Sequence, residues 1–509
     1  VEFSTLDRSG TTQPDRLQLR IVGIHGHNPI HHRSRKRCCQ SSLTEQLRSI
    51  AMLEPQFLTS RRQLLQVGAS GVTGMALPGT GTGSTETATN ARAKSVLIVM
   101  LSGGPSQLDM LDPKPAAPAE VRGEFQAVST TVPSVSVTEH LPRLAAGLDQ
   151  WTILRSMAHR EHNHLLATHI ALTGRPTPIP RGGSDLDRVE SRNDFPNFAS
   201  AVDFVRPGET GIPTGVSLPN YMIEGPLTWP GQHAGFLGAK HDPWQINHDP
   251  NDPGFQVDSL TLPGDVSGHR LVGRRTLLDA LEGRQRRAQN SAEFQAFSDH
   301  QDVAFSLLTS ARVADAFQID QESPEDRDRY GRNKFGQSLL LARRLIESGV
   351  PVVQATMGIV QTWDTHVDNW GRLKNTLLPW LDTGLDALMR DLKASGLLDQ
   401  TLVIVMGEFG RTPRVSTLPG QTVPGRDHWA HAYSGLFAGA GVRGGQVIGA
   451  TDATAAWPTT RSWSPADVGS TIFHALGIPS DAVVTDPLQR PNHLINGEVI
   501  EPLFTGQQT

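Results

Sequence analysis

Cysteine is nearly missing from this chain of 509 residues: there are two, Cys38 and Cys39, side by side near the start. The remainder therefore has no disulfide framework, no thiolate metal cage and no cysteine nucleophile. Tyrosine is scarce, with 3 residues. No apolar run reaches the roughly 18 residues of a membrane-spanning helix, so no transmembrane segment is expected. Positive charge is not in excess either. Residues 94–509 carry 35 Lys and Arg against 45 Asp and Glu, a formal net charge of −10, which argues against nucleic acid as a partner. Histidine is plentiful at 19 residues and points toward metal or proton chemistry. A hydrophobic fraction of 37% supports a sizeable core. The length admits about two to four domains, or one large α/β domain with insertions.

The first ninety-odd residues differ from the rest. Ser60-Arg61-Arg62-Gln63-Leu64-Leu65 places a twin-arginine pair before a weakly apolar run, Val67 to Leu77, that ends at Pro78. A Gly/Thr/Ser stretch follows, then Ala91-Arg92-Ala93 as a small-residue cleavage pattern. Residues 58–93 thus read as a twin-arginine export signal, with a short surface helix as the plain alternative. Export by that route places the mature protein in the periplasm or outside the cell. Residues 1–57 are polar and irregular, with a basic cluster from His31 to Arg37. They read as a disordered or mis-assigned extension ahead of a true start near Met52. A long leader and a basic nucleic-acid arm are the alternatives, and the lack of interleaved aromatic and basic residues downstream weighs against the arm.

Beyond residue 93 the pattern is α/β. Ser95 to Leu101 is a continuous apolar run of strand length that ends in Ser102-Gly103-Gly104-Pro105. Phe335, Leu339, Leu340, Ala342, Leu345 and Ile346 have helical spacing, Gly349 stops that helix, and Val350 to Ala355 reads as a strand. Leu373, Leu377, Leu378, Leu381, Leu385, Leu388 and Leu392 mark another apolar helical face. Thr401 to Met406 and Ser434 to Ala438 are further strands, and Pro465 to Leu476 is a closing helix capped by Ser464. Helices alternating with apolar strands predict a mainly parallel sheet sandwiched by helices. Residues 175–325, rich in Pro, Gly, Asp and Asn, read as an irregular inserted cap with one helix-like piece near Leu277–Leu308.

Polar clusters fall just after the predicted strands, where open α/β sheets bind ligands. Asp109 follows the first strand and is either a metal ligand or a helix cap. In Asp364-Thr365-His366 a carboxylate and an imidazole two apart can reach one cation, or the loop is merely capped. Glu408 leaves a strand directly, and Arg411 or Arg414 can fork an oxyanion or pair with that acid. His428 beside Asp427 suits a ligand with its orienting partner, or a solvated loop. His159, His162, His164 and His169 lie within eleven residues. If a helix starts near Asn163, His164 sits at its positive end, where an anion or a nucleophilic ring nitrogen is favoured. The alternative is a surface histidine tract. Two divalent ions roughly 3.5–4 Å apart could be held by such a set.

The order of these segments resembles the alkaline phosphatase/sulfatase superfamily, and within it a large bacterial family of exported proteins of unknown function common in planctomycetes. The matching motifs are Ser102 to Asp109 with Asp112-Pro113-Lys114, His162-Asn163-His164 leading to Leu172-Thr173-Gly174-Arg175, Trp363 to His366, Gly407 to Pro413, and Gly425 to Trp429. They span about residues 95–480, so the resemblance implies an alkaline phosphatase-like domain over 94–505. It implies Asp109, Asp364, His366, Glu408 and His428 as ligands of one or two divalent ions, Zn, Ca or Mg. The departures are specific. The superfamily's nucleophile, a Ser or Thr or a residue converted to formylglycine, falls on His164, and Phe409 stands where a His ligand is usual. A formylglycine sulfatase is thereby excluded. The resemblance then implies a metal-dependent hydrolase of sulfate or phosphate esters, acting on a small-molecule or glycan anionic ester. Arg411 or Arg175 would balance the anion, and His164, with His162 beside it, would be nucleophile or acid/base. The alternative is a non-catalytic relative that binds an anionic glycan or a secreted partner.

Overall fold

The structure is a computed structural model that describes residues 91–177, 192–208, 211–224, 227–257, 311–359, 362–486 and 488–506. The twin-arginine segment up to residue 90 and the helix-like piece 277–308 lie outside the described residues.

The sheet grows from the apolar runs. β1, Ser95–Met100, sends alternate side chains to opposite faces, and both faces are buried. Leu97 and Val99 join one core, Val96, Ile98 and Met100 the other. The other strands of the main sheet are β2 (Thr152–Met157), β3 (Gly215–Leu218), β4 (Trp244–Gln245), β5 (Val352–Thr356), β6 (Thr401–Met406), β7 (Tyr433–Ala438) and β8 (Gln446–Ile448). They form one eight-stranded sheet in the order β8-β2-β7-β6-β1-β5-β3-β4. β1 pairs parallel with β6 and β5, in the register Val99 to Val405 and Val99 to Ala355. Only β7 runs against its neighbours, β6 and β2. The mainly parallel α/β class read from the sequence is therefore the architecture found.

Helices cover both faces. α3 (Lys334–Glu347) and α4 (Leu378–Ala394) bury Leu339, Leu345, Leu381 and Leu388 against the face of Leu97, Val99 and Val403. α1 (His164–Thr173), α2 (Phe198–Val205) and α5 (Pro465–Ala475) bury Leu172, Phe198 and Ile472 against Ile98 and Ile404. Each such side chain, fully withdrawn from water, contributes on the order of 1.5–3 kcal/mol. Ser464 and Asp467 close a full capping box at α5. The long leucine face does not form one α-helix: Asn369–Arg372 is helical, Leu373–Leu377 is a π-helical turn, and α4 begins at Leu378 with Pro379 in its first turn. The described parts of 175–325 add α2, the strand β3 and the edge strand β4 to the sheet, so this region supplies sheet as well as loops. Among the described residues no helix is long and apolar enough to cross a membrane.

This topology gathers loops at one edge. β1, β2, β5 and β6 all end there, and the reversed strand β7 begins there. Five separate stretches of sequence thus meet outside the carboxyl ends of the parallel strands.

Candidate metal centre

The segment after β2 enters α1 through Asn163, whose side chain accepts from Leu165 N at 2.9 Å and Leu166 N at 3.3 Å. The cap fixes His164 as the first helical residue. The loops after β5 and before β7 bring in Asp364, His366 and His428. These two loops touch so closely that a Cβ on Gly425 would lie 2.1 Å from the His366 carbonyl oxygen, so only glycine fits.

Three imidazoles share one orientation. Nδ1 of His164 is 2.7 Å from Glu408 Oε1. Nδ1 of His366 is 2.7 Å from Asp427 Oδ1. Nδ1 of His428 is 2.8 Å from the His162 carbonyl oxygen. Each acceptor requires the ring proton on Nδ1, which leaves the Nε2 lone pair free. All three Nε2 atoms face Asp364: His366 at 3.1 Å and His428 at 3.2 Å from Oδ1, His164 at 3.5 Å from Oδ2. The Nε2 atoms of His366 and His428 are 2.9 Å apart. Two lone pairs facing at that distance repel, and a proton or a cation between them relieves it.

The charge balance follows from the same contacts. Burial works against ionisation of Asp364, but the imidazoles of His164, His366 and His428 and the adjacent Arg411 guanidinium drive its carboxyl far below the usual carboxylate range. Burial pulls His164 down, yet Asp364 and Glu408 outweigh it and hold the ring above its ordinary value. Asp364 raises His366 against a smaller effect of burial. Burial lowers His428, with Asp364 opposing and His164 and Arg411 adding to the fall.

The residues fit a divalent ion. One ligand atom each from His164, Asp364 and His428 lie within 4.8 Å of one another. His164 Nε2 is buried and makes no hydrogen bond, an orphaned lone pair aimed at the same point. The nitrogen-rich donor set with one carboxylate suits zinc or a similar transition ion better than calcium or magnesium. Acceptors that tie back the far nitrogen of each ring are the usual support of metal-binding histidines.

The other sequence candidates stand elsewhere. Glu408, fully buried, lies behind His164 and accepts from Gly103 N at 2.9 and 3.1 Å, so it orients a ring and is not among the converging ligand atoms. Asp109 is removed from the cluster: Arg426 Nε donates to it at 2.7 Å, Asn369 at 2.9 Å and Trp370 Nε1 at 3.0 Å. Arg411 engages all three guanidine nitrogens within the protein, with Gly104 O at 2.7 Å, Arg426 O at 3.2 Å and Asp364 Oδ1 at 2.5 Å. It holds Asp364 and is not free to fork a substrate anion. Arg175 follows Gly174 at the far end of α1, one helix of about 15 Å from His164, and packs on Phe195. His162 carries the opposite tautomer: its Nδ1 accepts from Ala430 N at 3.3 Å, so Nε2 donates to His431 Nε2 at 3.2 Å. Arg426 and the pairing of Asp427 with His366 were not legible in the sequence, since the partner of each is distant in the chain. His159, in the histidine tract, has Nε2 at 2.6 Å from the Glu408 carbonyl oxygen, and burial lowers its pKa to about 4.

Glu408→Gln keeps the shape behind His164 but removes the carboxylate. It is expected to weaken retention of a divalent ion by about 10–100-fold, measured by calorimetric titration of zinc. Unchanged affinity would show that the acid does not position the ring.

Comparison with known proteins gives a family and a set of distant structures. The structure of the lipoteichoic acid synthase LtaP from Listeria monocytogenes is 11% identical, with a TM-score of 0.34, covering 81% of this chain and 77% of that one. The PsFucS1 sulfatase from Pseudoalteromonas sp. is 12% identical, with a TM-score of 0.35, covering 76% and 68%. The phosphonate monoester hydrolase SpPMH from Silicibacter pomeroyi is 13% identical, with a TM-score of 0.33, covering 82% and 77%. No curated protein matches in sequence. The model of DUF1501, described as a protein of unknown function, matches residues 93–504, and the chain belongs to that family.

Proposed function

We propose that the chain is an exported metal-dependent hydrolase of phosphate or sulfate esters, with one divalent ion held by His164, Asp364 and His428 and with His366 alongside. The observation that carries this reading is the common orientation of three imidazoles, each with Nδ1 tied back and Nε2 turned to one carboxylate. When bound there, a divalent ion supplies Lewis acidity toward an ester oxygen and acidifies water.

The residues of the chain account for the rest. Glu408 and Asp427 hold the protons of His164 and His366 on Nδ1, which keeps Nε2 available. Arg411 holds Asp364 ionised and aligned. His366 and His428, about a quarter exposed, form the open side by which an ester reaches the centre. His164 is engaged with Glu408 and Asp364 at the start of α1, where a hydroxyl nucleophile would stand in the resembling superfamily. Thr168, one turn on, is fully buried. Attack by water therefore fits the site better than attack by a side chain. Export rests on Ser60-Arg61-Arg62 and the apolar run behind it.

The spent Arg411 favours a second reading, a relative that binds an anionic glycan or a secreted partner without turnover, since the cation expected to balance an oxyanion is consumed internally. One experiment separates the two. Elemental analysis of purified protein is expected to give about one divalent ion per chain, and chelation is expected to abolish turnover of aryl phosphate or aryl sulfate while metal return restores it. Bound ion without turnover of either ester would leave the non-catalytic reading. Absence of bound ion, with no thermal shift on adding zinc, would overturn both the metal centre and the hydrolase.

A further inference from the structure

A shelf of aromatic rings adjoins the centre and takes no part in holding it. Trp457 is 51% exposed, an unusual placement for an indole. Its loop is nevertheless fixed. Asp452 Oδ1 accepts from Thr454 N and Ala456 N, each at 2.9 Å, and Asp452 N donates to the Trp457 carbonyl at 2.9 Å. His431 stacks on the indole with centroids 4.3 Å apart and planes at 22°. Trp429 meets Trp457 edge-on at 5.6 Å, and its Nε1–H is held by the Ala456 carbonyl at 2.7 Å. The shelf is continuous with the centre through His162, which touches His431 by its ring and His428 by its carbonyl.

We propose that Trp457 and His431 bind a pyranose ring, so that the ester presented to His164, Asp364 and His428 is a sugar ester. Ring binding stands by itself, whereas the position of the ester rests on the hydrolase function proposed above. A rigid aromatic face half in water matches the flat C–H face of a pyranose, whose other side keeps its hydroxyls hydrated. An acyl chain would gain little there, because it needs enclosure on all sides. A hydrogen-bond donor stands at the edge of the shelf: His431 accepts from His162 on Nε2, so its own proton is on Nδ1, with no protein acceptor among the described residues. A stacking face with a donor beside it is suited to a hydroxylated ring. Arg160, exposed nearby, sets a positive potential at His431 that favours a sulfated or phosphorylated sugar over a neutral one.

Calorimetric titration of the full, metal-loaded chain with dextran sulfate oligosaccharides tests this, with unsulfated dextran oligosaccharides and 4-nitrophenyl sulfate as comparisons. The parent is expected to bind the sulfated oligosaccharide more tightly than either comparison. Trp457→Ala is expected to weaken that binding by about tenfold, with Trp457→Phe losing much less, while metal content and thermal midpoint stay at parental values. Equal affinity of Trp457→Ala and the parent would overturn the proposal, as would a parent that binds no oligosaccharide. So would a Trp457→Ala chain that changes only its sedimentation behaviour, since the shelf would then be a protein interface. Loss of turnover or of metal with oligosaccharide binding intact would strike the hydrolase reading alone.

Discussion

His428→Ala is expected to lower the affinity for a divalent ion by about 100-fold or more, beyond the roughly 10–100-fold typical of residues that only orient a ligand. His428 contributes Nε2 at 3.2 Å from Asp364 Oδ1 and 2.9 Å from His366 Nε2. Its loss removes one of the three groups whose ligand atoms converge, and alanine can supply no donor. Folding should be little affected, because the side chain is 23% exposed and its strand is a two-residue pairing with Gly410–Arg411 that is not part of the eight-stranded sheet. The measurement is zinc titration by calorimetry, with the thermal midpoint of the chelated protein as control. A variant with parental affinity would show that the three rings meet for a reason other than a cation.

Arg426→Ala is expected to cost about 3–5 kcal/mol of folding stability. The guanidinium and the Asp109 carboxylate are both withdrawn from water, with Nε 2.7 Å from Oδ2 and the second nitrogen 3.2 Å from Oδ1. Arg426 also donates to the carbonyls of Thr412 at 3.1 Å and Val121 at 2.8 Å, so its removal strands an ionised acid and several backbone acceptors together. Arg426→Lys should rescue little, since an ammonium cannot reproduce the planar fork. Asp109→Asn should be milder, because the amide keeps the shape and part of the bonding. Urea unfolding of the variants reads the difference. A loss below about 1 kcal/mol for Arg426→Ala would mean that the pair is not a keystone of these loops.

These two variants also mark what the sequence made legible. The long elements were plain, because period and length agree: β6 and α5 lie within a residue of the apolar run Thr401 to Met406 and of the Ser464-capped stretch. β3, β4 and β8 were not, being two to four residues long and set among Pro, Asn and Gly; propensity says little over so short a span. β2 was missed beside the histidine tract, since Thr152, Arg155 and Ser156 break its apolar pattern. Of the site, the convergence of Asp364, His366 and His428 followed from their places after or before strands of one sheet. The division of labour did not. Glu408, Asp109 and Arg411 are the residue types a metal or anion site uses, and only three-dimensional contacts show that they serve neighbouring side chains. Local spacing records which groups are close in the chain, whereas Asp109 and Arg426 are partners across 317 residues.

The tie between Arg411 and Asp364 has a consequence for the metal centre proposed above. The carboxylate has a cationic companion within the protein, and every imidazole is turned by its own anchor. On the proposed reading, capture would therefore fill a cup held by its own side chains and would not drive the chain into shape, unlike a zinc finger, where binding and folding are one event. If the chain is also exported folded, as proposed from Ser60-Arg61-Arg62, the choice of ion would be set by the compartment in which loading takes place.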